Sequence, residues 1–124
     1  MSDQWEARSA RPMSTGLREF CVGDEIARLK REPSWSSGTR NAITLGKGVL
    51  RVVLVVLKKG ARLEEHRARG PMTLQVVSGL IRFRAGQTGL ELAPGRLIVL
   101  ESVLSHNVEA LADAALLLTL MEPV

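Results

Sequence analysis

Apolar and polar positions divide this chain at about residue 40. Beyond it, short apolar runs alternate with clusters that contain glycine. Val49 to Lys58 is rich in valine and leucine, with no polar alternation over Val52 to Leu57. That is the pattern of a strand buried on both faces, and Lys59-Gly60 turns it. Further strands are predicted over Met72–Val77, Leu80–Ala85, Leu90–Leu92, Leu97–Leu100, Asn107–Leu111 and Ala115–Met121. Gly70-Pro71, Ser78-Gly79, Gly86 to Gly89 and Pro94-Gly95 punctuate them, glycine because it reaches positive φ and proline because its φ is preset. Many short β-elements with regular turns predict an all-β fold, a small antiparallel β-barrel or jelly roll, in which closure removes exposed strand edges.

Before residue 40 the pattern differs. Residues 1–18 are polar and carry Ser2, Ser9, Pro12, Ser14 and Gly16, a composition that buries too little to order itself, so a flexible N-terminal arm is expected. Residues 19–124 are expected to form one domain, since a chain of 124 residues supports a single core. Asp24 is placed to cap a short helix with Ile26 and Leu29 on one face, Pro33 ends it, and Ser34 to Gly38 reads as a loop carrying Trp35. Val52–Leu57 and Leu116–Leu120 lack polar alternation, so both faces of their sheet need cover. A second copy of the chain supplies it economically, which predicts a homodimer with sheets packed face to face. The alternative is a longer N-terminal arm folding back across its own sheet.

Composition narrows the function. Lys and Arg total 17 against 13 Asp and Glu, a formal net charge of +4 with a pI near 10.0. The local basic run of Lys58, Lys59, Arg62, Arg67 and Arg69 is interrupted by Glu64 and Glu65. There is no tyrosine, and Phe and Trp number two each, so stacking platforms for bases are scarce. Nucleic acid is not expected as a partner. Cys21 is the one cysteine; it cannot form an intramolecular disulfide and reads as an inert, partly buried thiol. Asp3, Glu6, Arg8 and Arg11 break up the N-terminus, and the longest apolar stretches are too short to span a bilayer, so a cytoplasmic protein with no membrane partner is expected.

His66 and His106 are the only histidines. Gly60, five residues, His66, then Gly79, form one constellation, and Gly95 with His106 forms a second. Fifteen residues separate Gly79 from Gly95. Over residues 45–121 this skeleton resembles the two motifs of a small single-domain bacterial cupin. The first motif's second histidine and glutamate positions hold Ala68 and Met72. The second motif's proline, glycine and asparagine positions hold Glu101, Val103 and Ala110. The resemblance implies a cupin barrel in which His66 and His106 face a divalent metal, iron, manganese, nickel or zinc, inside the barrel. His66, Ala68, Met72, Leu74 and Val76 share strand parity and are expected to line the interior. Glu64 shares that parity. Gln75 does not, and would reach the interior only through a bulge at Gly70-Pro71. Glu64, Gln75 and Glu101 are the further candidate ligands.

Without the carboxylate, two neutral imidazoles offset little of a divalent charge, so any metal is expected to be weakly held. The leading functional expectation is a cupin barrel that binds a small molecule in an apolar-walled cavity, with a weak metal between the histidines. The alternative is a metal-dependent oxygenase or isomerase acting on a small organic acid or aromatic. A third is a structural domain whose interior is filled by side chains. A sugar-epimerase chemistry is disfavoured because it pairs histidine with tyrosine. Arg82 and Arg84 alternate with Ile81 and Phe83 and read as an outward polar face.

Overall fold

The computed structural model describes residues 8–9, 16–67, 70–101 and 104–121. Its elements, in chain order, are β1 (Arg8–Ser9), α1 (Val22–Leu29), α2 (Pro33–Ser36), β2 (Arg40–Gly46), β3 (Leu50–Leu57), β4 (Arg62–Arg67), β5 (Met72–Ser78), β6 (Ile81–Ala85), β7 (Thr88–Leu92), β8 (Leu97–Leu100), β9 (Ser105–Ala110) and β10 (Ala114–Met121). They form a six-stranded sheet in the order β1-β2-β3-β10-β5-β8 and a four-stranded sheet in the order β4-β9-β6-β7. Every pairing is antiparallel except β1 with β2. This is the expected all-β barrel with a short helix near its N-terminus. Among the described residues no helix is long and apolar enough to cross a membrane.

One face of each sheet contributes to a shared core. Val53, Val55 and Leu57 of β3, Leu116 and Leu118 of β10, and Leu74 and Val76 of β5 meet Leu63, Ile81, Phe83 and Val108 of the smaller sheet. The strands β3 and β10 run in continuous register from Leu57↔Ala114 to Leu50↔Met121. Their lack of polar alternation has its reason on the other face. There Ile43, Leu45, Leu54, Val56 and Ala115 form a second buried cluster with Leu29 of α1, and Phe20, Val22, Ile26 and Trp35 pack against it. Helices α1 and α2 therefore cover much of the outer face. Leu97 and Val99 on the edge strand β8 remain 55% and 58% exposed, and Leu50 and Met121 are also exposed.

Several local expectations need correction. Asp24 is not the helix cap. Cys21 occupies that position, makes no side-chain capping bond, and is exposed rather than partly buried. Asp24 and Glu25 sit in the first turn, where their charges suit the positive end of the helix dipole. Pro33 opens α2 instead of ending α1, because the first helical position does not need an N–H. Trp35 thus lies on a helical turn, with the ammonium groups of Lys30 and Lys58 at 5.4 and 5.2 Å from its ring. Strand β2 was not expected, since Asn41 and Thr44 dilute its apolar signal, whereas β4 is the strand on which His66 and Glu64 were placed. The expected arm falls mostly outside the described residues; within it, Arg8 and Ser9 pair with Ile43 and Thr44.

Candidate functional site

The strand β9 alternates cleanly. His106, Val108 and Ala110 are buried, while the residues between them are half-buried toward the other face. His106 is only 1% exposed and lies over Phe83, ring centroids 5.8 Å apart and planes 20° from parallel. Its Nδ1–H donates to the Leu104 carbonyl at 3.2 Å, so in the neutral ring the lone pair sits on Nε2, which is also buried. A histidine fixed through one nitrogen by a backbone carbonyl presents the other nitrogen in a set direction, the usual support for a metal or ligand contact.

Burial pushes the His106 imidazole below its ordinary value of 6.5, and the bond to Leu104 opposes that shift. The unfolded chain takes up its proton as pH falls through the ordinary value, whereas the folded chain resists to lower pH. The stability this group contributes is complete above that value and declines as pH falls from there through the lowered folded value. Urea midpoints are therefore expected to drop between about pH 7.5 and about pH 5.5, and to drop less in His106→Gln. An equal drop in the two proteins would show that His106 is not responsible.

The register of β4 against β9 decides which residue opposes this ring. Leu63 pairs with Val108 and His66 pairs with His106, so three residues of β4 span what two span on β9. The irregularity is a bulge that returns residue 66 to the register position directly opposite His106. In an antiparallel pair, such opposed positions have Cβ atoms about 4.5–5.5 Å apart. The His66 side chain and Ala68 lie outside the described residues. The two histidines are thus neighbours in the ladder although 39 residues lie between them in the chain.

The bulge also separates Glu64 from His66, correcting the shared parity expected for them. Glu64 is exposed and lines a polar cleft of about 340 Å³ with Arg62, Arg82, Arg84, Asn107 and Glu109 on the outer face of the smaller sheet. Arg82 bridges Glu91 at 3.2 Å and Glu109 at 3.4 Å there, the outward polar face expected for it. Gln75 is exposed on the outside of the larger sheet, while Met72, Leu74 and Val76 face the core, so no bulge at Gly70-Pro71 brings Gln75 in. Glu101 is exposed just past β8. None of the three joins His106 in the interior. Among the described residues, no three His, Cys, Asp or Glu side chains cluster closely enough to hold a metal ion.

The chain crosses between the sheets twice at the same end of the barrel, from Arg67 to Met72 and from Leu100 to Ser105. Met72 pairs with Leu100 on one side and Leu120 on the other, and Leu120 pairs with Arg51. This row, Arg51-Leu120-Met72-Leu100, closes the inner face of the larger sheet at the end where residues 66 and 106 close the smaller one. Arg51 is 9% exposed, and its parity is that of the core residues Val53 and Val55. Sequence reading missed it. Its signal was a charged residue at inward parity in an otherwise apolar run.

No protein-family model matches the chain, and no curated protein matches it. Solved structures do. A cupin superfamily protein from Desulfitobacterium hafniense is similar with a TM-score of 0.66 and 12% identity, over 68% of this chain and 78% of that one. A conserved protein of unknown function from Streptococcus pyogenes gives 0.67 and 18% identity, over 96% and 97%. An RmlC-like cupin from Shewanella frigidimarina gives 0.63 and 21% identity, over 67% and 76%. Two apposed sheets that share one core, together with these neighbours, establish that the chain has the fold of the cupin superfamily.

Proposed function

We propose that this protein binds a small molecule at the barrel end closed by residues 66 and 106, with a weakly held divalent metal between the two histidines. The observation that carries the reading is His106, a fully buried imidazole whose Nδ1 is fixed by the Leu104 carbonyl and whose register partner is the only other histidine. Apolar walls from Met72, Leu100 and Leu120 with a few convergent polar groups suit a small-molecule site. The donor set fits nickel or zinc held by imidazole better than a tight four-ligand centre, because the described residues add no carboxylate to it. His66 and His106 would hold the ion, which when bound would polarise a ligand oxygen. The oxygenase or isomerase alternative, which iron or manganese would serve, needs a further ligand that Glu64, Gln75 and Glu101 do not supply. Calorimetric titration of tag-free protein with nickel and zinc is expected to show one exchangeable site per chain, lost in His66→Ala and in His106→Ala. Binding that survives both substitutions would refute the site.

The proposal extends to a homodimer. The outer face left uncovered by α1 and α2 carries exposed Leu97, Val99, Leu50 and Met121 beside an apolar groove of about 670 Å³ that includes Phe20, Val22 and Leu117. An apolar strip on an edge strand suits a second copy. Light scattering is expected to give twice the chain mass of 13.5 kDa, and Val99→Glu to shift it to the monomer. A wild-type monomer at high concentration would contradict this. A cytoplasmic location is the accompanying proposal, consistent with a single, exposed cysteine.

A further inference from the structure

We propose that the outer groove between β2, β3 and the segment leading into α1 binds a long-chain monocarboxylate, a free fatty acid, with its head at Arg18 and Lys47. This groove lies outside the barrel, across the larger sheet from the shared core, so it stands or falls independently of the site at His106. Its volume of about 670 Å³ is within the range of about 300–1,000 Å³ usual for small-ligand pockets. Phe20, Val22, Leu50, Val52 and Leu117 supply apolar walls.

Local backbone geometry opens this space. Pairing of β2 with β3 shifts register between Thr44 and Gly46, which leaves Leu45 as the extra residue and sets Gly46 opposite Val52. A Cβ on Gly46 would lie 3.7 Å from Val52 Cγ2, so the missing side chain keeps the wall beside Val52 clear. Charge then selects the occupant. Arg18 and Lys47 are the charged residues among those lining the groove, and no carboxylate lines it; Glu19 is exposed and lies outside the lining. Arg18 Nη1 donates to the Leu45 carbonyl at 3.3 Å, which holds the half-buried guanidinium against β2, and Lys47 follows two residues after that carbonyl. Neither cation makes an ion pair among the described residues. Both therefore stand at the β2 side, while Val52 and Leu117 carry an apolar floor across β3 and β10. A carboxylate head on an apolar tail matches this asymmetry. A neutral lipid would leave the cations unmatched, and a bare anion would leave the floor wet.

Calorimetric titration of the full tag-free chain with decanoate, 1-decanol and decyltrimethylammonium, each below its micelle concentration, tests the assignment. Decanoate is expected to bind at one site per chain, about tenfold or more tightly than decanol, with the cationic amphiphile weaker still. Octanoate should bind about tenfold more weakly than decanoate, since each buried methylene contributes about fourfold. Replacing both Arg18→Gln and Lys47→Gln should bring decanoate to the affinity of decanol while holding decanol within about twofold. Gly46→Leu fills the wall at a backbone conformation without positive φ, and should weaken both ligands at least about tenfold. Methyl NMR spectra place the ligand: Val22, Val52 and Leu117 should shift, while Leu63 and Leu74 of the inner core should not. Absent decanoate binding, decanol binding as tightly as decanoate, an unchanged preference in the double variant, or shifts confined to the inner core each overturn the proposal. Two other occupants would also overturn it. Binding to phosphatidylglycerol vesicles without binding of free decanoate would make the groove a membrane contact, and a dimer lost in Gly46→Leu without decanoate binding would give it to a second copy.

Discussion

Gly79→Ala is expected to lower the unfolding free energy by about 2–4 kcal/mol, a large part of the roughly 5–15 kcal/mol that holds a domain of this size together. Two independent costs meet there. Gly79 has φ of +85°, a left-handed conformation that disfavours a Cβ. A Cβ at this position would also lie 2.6 Å from the Ala114 Cα and strike the Asp113 carbonyl oxygen. Both neighbours are backbone at the start of β10, the strand that pairs with β3 and β5 in the middle of the larger sheet. Relief would have to shift that strand. Gly95 separates the two costs, since its φ is +90° but a Cβ there meets nothing within 4 Å. Gly95→Ala should cost about 1–2 kcal/mol, the conformational part alone. Urea denaturation of the two variants checks this, and equal losses would show that the close approach at Gly79 is not what constrains it.

His106→Ala should produce the second large effect, on binding and on stability together. Removing a fully buried ring that lies over Phe83 leaves a cavity in the core and strands the Leu104 carbonyl that its Nδ1–H served. Losses of this kind run to about 2–4 kcal/mol. Metal and small-molecule affinity should fall at least about tenfold, because one of the two imidazoles is gone. His106→Gln offers an amide near the same place and should recover part of the stability without recovering the metal. If His106→Ala binds nickel or zinc as the wild type does, the ring serves the core and nothing else.

How much of this was legible in the sequence depends on where the physical signal was local. The barrel was legible, because the apolar runs and the glycine turns mark its strands one by one. The inward parity of Met72, Leu74 and Val76 was legible for the same reason. The β4 bulge was not. Nothing in Arg62–Arg67 announces an extra residue, since the register is set by the facing strand β9, and so Glu64 was placed on the wrong side. The capping of α1 was misread because a backbone that docks on the sheet through Val22, Ile26 and Leu29 tolerates Cys21 where an aspartate would suit an isolated helix. The cover of β3 and β10 could be stated only as two alternatives, because apolar demand on a strand does not reveal which segment meets it. Arg51 was overlooked since a single charge in an apolar run normally marks an edge, and only the pairing of Leu120 with both Arg51 and Met72 places it inside.

With only His66 and His106 in the chain, imidazole nitrogen spectra contain two ring systems and need little assignment. Following both rings by NMR as zinc is added to tag-free protein tests the central claim directly. The two rings are expected to move together and to saturate at one ion per chain, with Nε2 of His106 taking the shift and its Nδ1 keeping its proton. One ring moving alone, or a His66 ring that ignores the metal, would contradict a shared site.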